Sequence, residues 1–160
     1  IEYNVKKIEN KNWNEEWEKN YDPVEINKHC TVRAPFHKPS KKIYDIIIKP
    51  EMSFGTGHHE TTQLMIDFLF EQNLENKKIC DVGCGTGILS IIAEKIGASE
   101  IDAVDIKNNC IENTIENIKR NSCKKINTKI CSLETNLVAA RENLKSKIQH
   151  KIDSLKLLLN

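Results

Sequence analysis

With 160 residues, of which 39% are hydrophobic, the chain can bury one core but is short for two domains. Lysines and arginines number 24 against 23 acids, a net charge of +1 that gives no general reason to expect a nucleic acid or a membrane as partner. The six cysteines (Cys30, Cys80, Cys84, Cys110, Cys123, Cys131) form no C-x-x-C pair and are too sparse for a disulfide framework, so a reducing cytoplasm fits best.

No signal peptide opens the chain, and no apolar run approaches the roughly 18 residues of a membrane span, which predicts a soluble protein. Ile1 is not a methionine, which suggests a start partway through a longer product. In "NWNEEWEKNY", residues 12–21, Trp13 and Trp17 share one helical face as an aromatic anchor, and Pro23 ends any helix. "KHCTVRAPFHKP" has strand-forming residues interrupted by Pro35 and Pro39, which predicts an edge strand and a loop. "IYDIIIKP" is a stronger strand, and its run Ile46, Ile47, Ile48 suits burial on both faces.

A glycine-containing loop in "EMSFGTGHHETTQLMIDFLFEQ" leads into a helix with Thr61 or Thr62 near its start and Leu64, Met65, Phe68 and Leu69 on its inner side. Then come a strand at 78–82, a helix at 87–96 closed by Gly97, a strand at 100–106, a helix at about 108–121 with Ile111, Ile115 and Ile118 inward, and a weaker strand in "KINTKIC". Strand, helix, strand, helix, strand is the first half of a doubly wound parallel α/β sheet. From residue 133 onward Leu137, Leu144, Ile148, Ile152, Leu155 and Leu159 fall at helical spacing, so an amphipathic helix replaces the expected further strands. It is basic: from Cys123 onward eight basic side chains face three acidic ones, a net +5 that leaves −4 for the rest.

Strand 78–82 runs through "DVGCGTG" into a helix. Glycines there permit a tight turn and let a ligand approach the backbone at the carboxyl end of the strand. Counted from Gly83, the glycines fall as G-x-G-x-G, and Ile88 stands where a dinucleotide fingerprint needs its last glycine. Asp81, two places before Gly83, is a poor neighbour for a pyrophosphate and a good one for a cation. Asp105 ends the next strand, where a carboxylate accepts hydrogen bonds from a ribose diol. A phosphate-free, positively charged adenosine satisfies both aspartates, and S-adenosylmethionine has that structure.

These residues carry a resemblance. "DVGCGTG" resembles the first motif of class I methyltransferases. "MSFGTGHHETTQLM" is similar to the narrower signature of PrmA-type methyltransferases, which act on ribosomal protein eleven of the large subunit; "NWNEEWEKNYDPVEI" and "RAPFH" resemble the stretch preceding that family's catalytic domain. The likeness covers residues 12–121. It implies a Rossmann-like class I methyltransferase sheet, present as its amino-terminal half with a helical tail: a linker and lead-in at 1–43, a partial S-adenosylmethionine-binding domain at 44–131 and a divergent tail at 132–160.

The resemblance further implies that Thr62, Gly83 and Asp105 contact S-adenosylmethionine and that Asp81 and Gly85 shape the same pocket. Phe54, Gly55 and Gly57 would form a loop over the methionine end, where a flexible glycine pair could bring an aromatic face to the sulfonium. The implied reaction is methylation of amino groups, lysine or an N-terminal amine, on a large-subunit ribosomal protein, with no membrane and no direct nucleic-acid contact. No residue is assigned as the catalytic base. The family's fourth strand has no match after Ile130, so truncation, a lost reading frame or a substitute helix would each account for the tail. A cofactor-binding relic without activity and a small-molecule methyltransferase are the alternatives.

Competing chemistries are weaker. His59 and Glu60 begin a zinc-type H-E-x-x-H, but Gln63 stands where the second histidine belongs, and no metal is expected. Cys80 reads as core and Cys84 as a border of the pocket, neither as a nucleophile. The tail cations Arg141, Lys145, Lys147, Lys151 and Lys156 suit a solvated face better than RNA recognition.

Overall fold

The computed structural model describes residues 21–51 and 53–131. The Trp13 and Trp17 anchor and the basic helix after residue 132 lie outside these residues. Among the described residues, six strands and three helices follow in the order β1 (Val24–Glu25), β2 (Cys30–Arg33), β3 (Tyr44–Ile47), α1 (Glu60–Glu71), β4 (Lys78–Val82), α2 (Ile88–Lys95), β5 (Glu100–Asp105), α3 (Asn108–Arg120) and β6 (Ile126–Ile130).

β4, β5 and β6 form a parallel sheet in that order, with α2 and α3 as the crossovers that parallel pairing demands. The strand and helix rhythm read from the sequence is therefore the one found. Ile101 and Ala103 of β5 are buried and pack with Ile79, Ile111 and Ile126. The alternate positions face outward: Lys78 pairs with Glu100 and Lys129 with Asp102 across the other face. This is the two-residue alternation of a half-buried sheet.

The second sheet runs β1-β2-β3, antiparallel then parallel. β2 is thus a central, wholly buried strand rather than the expected edge: Pro35 and Pro39 follow it and remove none of its amides from the ladder. In β3 burial alternates instead of covering both faces; Ile46 is buried, as is Ile48 just beyond, while Ile47 is only partly so. Arg33 and Asp45 pair two-fold, Nε to Oδ1 at 2.7 Å and Nη2 to Oδ2 at 2.9 Å, a geometry that satisfies the buried guanidinium and its partly buried carboxylate. Cys30, Val32, Ile46, Ile48 and Ile66 share one apolar cluster with Ile88, Ile91 and Ile92 of α2, so the lead-in sheet packs on the parallel unit through α2.

One helix turns differently from expectation, and another buries more than its expected residues. In α1, Thr62 and Ile66 are buried while Leu64, at 67% exposure, Met65 and Phe68 face outward. The sequence Leu64, Met65, Ile66, Phe68, Leu69, Phe70 is apolar nearly all round, so periodicity cannot select the inner face. In α3 Ile111 is buried as expected and Ile115 and Ile118 pack at its margins. Its most deeply buried side chains, however, are Asn113, Thr114 and Asn117.

Those amides have partners, as buried polar groups must. Asn121 accepts from Ile47 N–H at 2.9 Å and donates to Ile47 O at 2.7 Å. Asn117 accepts from Lys49 N–H at 2.9 Å, and Asn113 donates to Lys49 O at 3.4 Å. Four residues apart, the three asparagines line one helix face and serve the edge of β3 as a neighbouring strand would. Among the described residues no helix is long and apolar enough to cross a membrane.

Candidate functional site

The turn between β4 and α2 has Gly83, Gly85 and Gly87 at φ +79°, +57° and +78°. These are left-handed conformations in which glycine avoids the strain of a β-carbon. Each glycine also faces a different surrounding. A β-carbon at Gly87 would lie 2.7 Å from Thr114, and one at Gly85 would lie 2.3 Å from the Phe54 carbonyl oxygen. A β-carbon at Gly83 would meet nothing within 4 Å. Two glycines therefore permit close packing, and Gly83 alone opens onto free space at the strand end.

Backbone and side-chain bonds hold this turn to β5 and α3. Gly83 and Cys84 N–H both donate to Val104 O, at 2.8 and 3.0 Å, and Thr114 Oγ1 donates to Gly85 O at 3.0 Å. Asp105 is buried and accepts Gly85 N–H on Oδ2 at 3.1 Å and Lys107 N–H on Oδ1 at 3.0 Å. An ionised carboxylate has about four acceptor positions, so each oxygen keeps capacity for one further donor. The carboxylate is oriented and not saturated.

Asp81 Oδ2 accepts Ser90 Oγ–H at 2.6 Å and Ser90 N–H at 3.2 Å, the latter from the first turn of α2. Burial lifts its pKa above the ordinary aspartate value; the Ser90 hydrogen bonds oppose this, and the nearby Asp105 charge adds to it. Two neighbouring carboxylates at the carboxyl ends of adjacent strands make a locus that favours a cation or a hydrogen-bond donor.

The loop at 53–59 lies against this turn. Thr86 N–H donates to Phe54 O at 2.9 Å and Thr86 Oγ1 to Gly55 O at 2.6 Å. Gly55 and Gly57 are buried at φ +104° and +92°; β-carbons there would approach Thr86 Oγ1 at 2.7 Å and Val32 at 3.1 Å. These glycines are packed, so what they supply is close approach and not the flexibility the sequence suggests. Phe54 projects outward with 64% exposure. Gln63 Nε2 donates to Gly57 O at 3.0 Å, and His59 caps α1 by accepting Thr61 N–H on Nδ1. A cavity of about 370 Å³ lined by Ser53, Phe54, Gly55, Thr56, His58, His59 and Glu60 belongs to the loop and the start of α1; Gly83 and Asp105 are not part of its wall.

The structure thus brings Asp81, Gly83, Gly85 and Asp105 together and sets Phe54 and Gly55 against them. Gly57 packs on β2, and Thr62 is buried in the first turn of α1 with its N–H on His59 O. Of the two cysteines, Cys80 departs from its expected place in the core. Cys80 is exposed on the outer sheet face, because it alternates with the inward Ile79. Cys84 is buried with Ala103 and Ile111 beside Thr114, and burial pushes its thiol up to about 11. Thr86, Ser90, Thr114 and Asn117 escaped the sequence reading. The four-residue spacing of Asn113, Asn117 and Asn121 was the available signal; Thr86 and Ser90 carried none.

Comparison with known proteins follows the same residues. The family model described as Ribosomal protein L11 methyltransferase (PrmA) matches residues 1–151, a longer span than the 12–121 that the motifs cover. A ribosomal protein L11 methyltransferase of Phocaeicola vulgatus is 44% identical over 144 residues, covering 89% of this chain and 50% of that protein. One from Porphyromonas gingivalis is 50% identical over 121 residues, covering 74% and 42%. The crystal structure of a ribosomal protein L11 methylase from Lactobacillus delbrueckii subsp. bulgaricus superimposes with a TM-score of 0.62 at 28% identity, covering 71% of this chain and 59% of that one. The chain spans about half the length of the curated relatives it matches.

Proposed function

The chain belongs to the ribosomal protein L11 methyltransferase family, PrmA, and on that premise we propose that it binds S-adenosylmethionine and serves methyl transfer to amino groups, lysine or N-terminal, of ribosomal protein L11. The observation that supports the reading best is the combination of an open Gly83 with an Asp105 that two backbone N–H groups orient while leaving two acceptor positions. A ribose diol needs two acceptors. The raised Asp81 carboxyl suits a ligand that brings positive charge, because a cation favours the ionised form that burial disfavours.

When bound, S-adenosylmethionine supplies a methyl group already activated on a sulfonium. The residues of this chain then have binding and orienting work: Asp105 holds the ribose, Thr62 and Gly83 contact the cofactor, Asp81 faces its charged end, Gly85 shapes the same pocket, and the loop of Phe54, Gly55 and Gly57 covers the methionine side. Excluding water and aligning donor with acceptor supply much of the rate in such a displacement. A lysine of ordinary pKa, about 10.4, is mostly protonated at neutral pH, so the complete site must favour the neutral amine. No residue of this chain is assigned that task.

Calorimetry on the 160-residue chain tests the reading. S-adenosylmethionine is expected to bind, NADH not, and Asp105→Ala to weaken binding by about 1.5–3 kcal/mol, the worth of a charged acceptor. Preference for NADH, or an affinity untouched by Asp105→Ala, overturns it. Radiolabelled methyl transfer to ribosomal protein L11 separates an active enzyme from a binding-only relic and from a small-molecule methyltransferase.

A further inference from the structure

Thr86 sits between Gly85 and Gly87 with its side chain fully buried, and the reading above leaves it without a task. Its two donors go to consecutive carbonyls of the 53–59 loop, N–H to Phe54 and Oγ1–H to Gly55. Contact is interlocked from both sides, since Gly85 has no β-carbon to strike Phe54 O and Gly55 has none to strike Thr86 Oγ1. The third polar group is used as well. Thr86 O accepts Asn117 Nδ2–H at 3.0 Å, and the same Asn117 amide accepts Lys49 N–H, at the strand end from which the loop departs.

A buried threonine whose every polar atom is spent on joining two segments has a clear physical consequence. Any displacement of the loop from the turn leaves at least two polar groups without partners inside the protein, which is costly. A valine keeps the β-branched shape but puts a methyl where the hydroxyl was, so it loses the bond to Gly55 O and leaves that buried carbonyl crowded and unpaired.

We propose that Thr86 is a positioning residue, which fixes the Phe54–Gly55 carbonyls on the glycine turn, braced by Asn117, so that turn and loop form one wall for the amino-acid end of the ligand. This rests on the cofactor reading above. It assigns to Thr86 a discrimination that Asp105 does not make: Asp105 serves the nucleoside, whereas Thr86 acts through the loop on what extends from it.

The test uses the 160-residue chain with Thr86→Val, Thr86→Ser and two ligands. S-adenosylhomocysteine has the amino-acid end; 5′-methylthioadenosine keeps the nucleoside and lacks it. Thr86→Val is expected to weaken S-adenosylhomocysteine about tenfold, the loss of one neutral hydrogen bond, and to leave 5′-methylthioadenosine within twofold. Hydrogen exchange should quicken over 53–57 and stay unchanged over β4 and β5, and Thr86→Ser should restore both readouts. Equal weakening of the two ligands, unchanged affinity for S-adenosylhomocysteine, or unchanged exchange over 53–57 overturns the proposal. If the unaltered chain takes neither ligand, the cofactor reading fails, and the exchange experiment still decides whether Thr86 holds the loop. Should Thr86→Val not fold, Thr86→Ala against Thr86→Ser carries the same comparison.

Discussion

Alanine at Gly83 and at Gly85 makes the same chemical change two residues apart, and the structure assigns the two sites opposite consequences. Both positions are left-handed, which costs an alanine about 1–2 kcal/mol. At Gly83 that is the whole cost to the fold, because the new methyl meets nothing within 4 Å. At Gly85 the methyl would lie 2.3 Å from Phe54 O. That oxygen is backbone and already accepts Thr86 N–H, so relief requires moving the loop. Overpacking of this kind adds about 1–3 kcal/mol, for a total of about 2–5 kcal/mol at Gly85, a large part of the roughly 5–15 kcal/mol that holds a domain folded. Urea unfolding measures the difference directly if the slope is shared. In calorimetry Gly83→Ala, though the milder change for stability, should lose at least about tenfold in S-adenosylmethionine affinity, since about 1.4 kcal/mol of steric conflict with a ligand over the turn suffices. Equal destabilisation by the two alanines, or full affinity in Gly83→Ala, would refute the division of roles among the glycines.

Two further expectations concern buried polar groups. Because the folded chain holds a proton on Asp81 more tightly than the unfolded chain does, stability should fall as pH rises from the ordinary aspartate range through the raised value, and the loss should persist above it. Asp81→Asn should remove that dependence and raise the neutral-pH urea midpoint, while weakening S-adenosylmethionine by about 1.5–3 kcal/mol through loss of a charged acceptor; a lowered midpoint with unchanged affinity would contradict this. Asn121→Ala strands both Ile47 N–H and Ile47 O and should cost about 2–4 kcal/mol, read from urea midpoints, against less than 1 kcal/mol if water replaced the amide freely.

The reach of the sequence is best judged at particular residues. The boundaries of β4 were legible because a strand pattern meets glycines that only left-handed turns require, and Asp105 was legible because its distance from that turn follows from one helix and one strand. These are local rules, each written within about twenty residues. The inner face of α1, the central place of β2 and the exposed place of Cys80 depend instead on which surfaces meet, and an apolar residue carries no label for its partner. The same holds for the asparagines of α3. An amide that caps a distant strand edge looks, in the sequence, like one that faces water. The amino acids alone determined the strand, glycine turn and helix and the two carboxylates beside them. Only the tertiary structure decided that Gly83 opens onto space while Gly85 is pressed by the loop, because the obstacle that separates them, the Phe54 carbonyl, lies some thirty residues away in the chain.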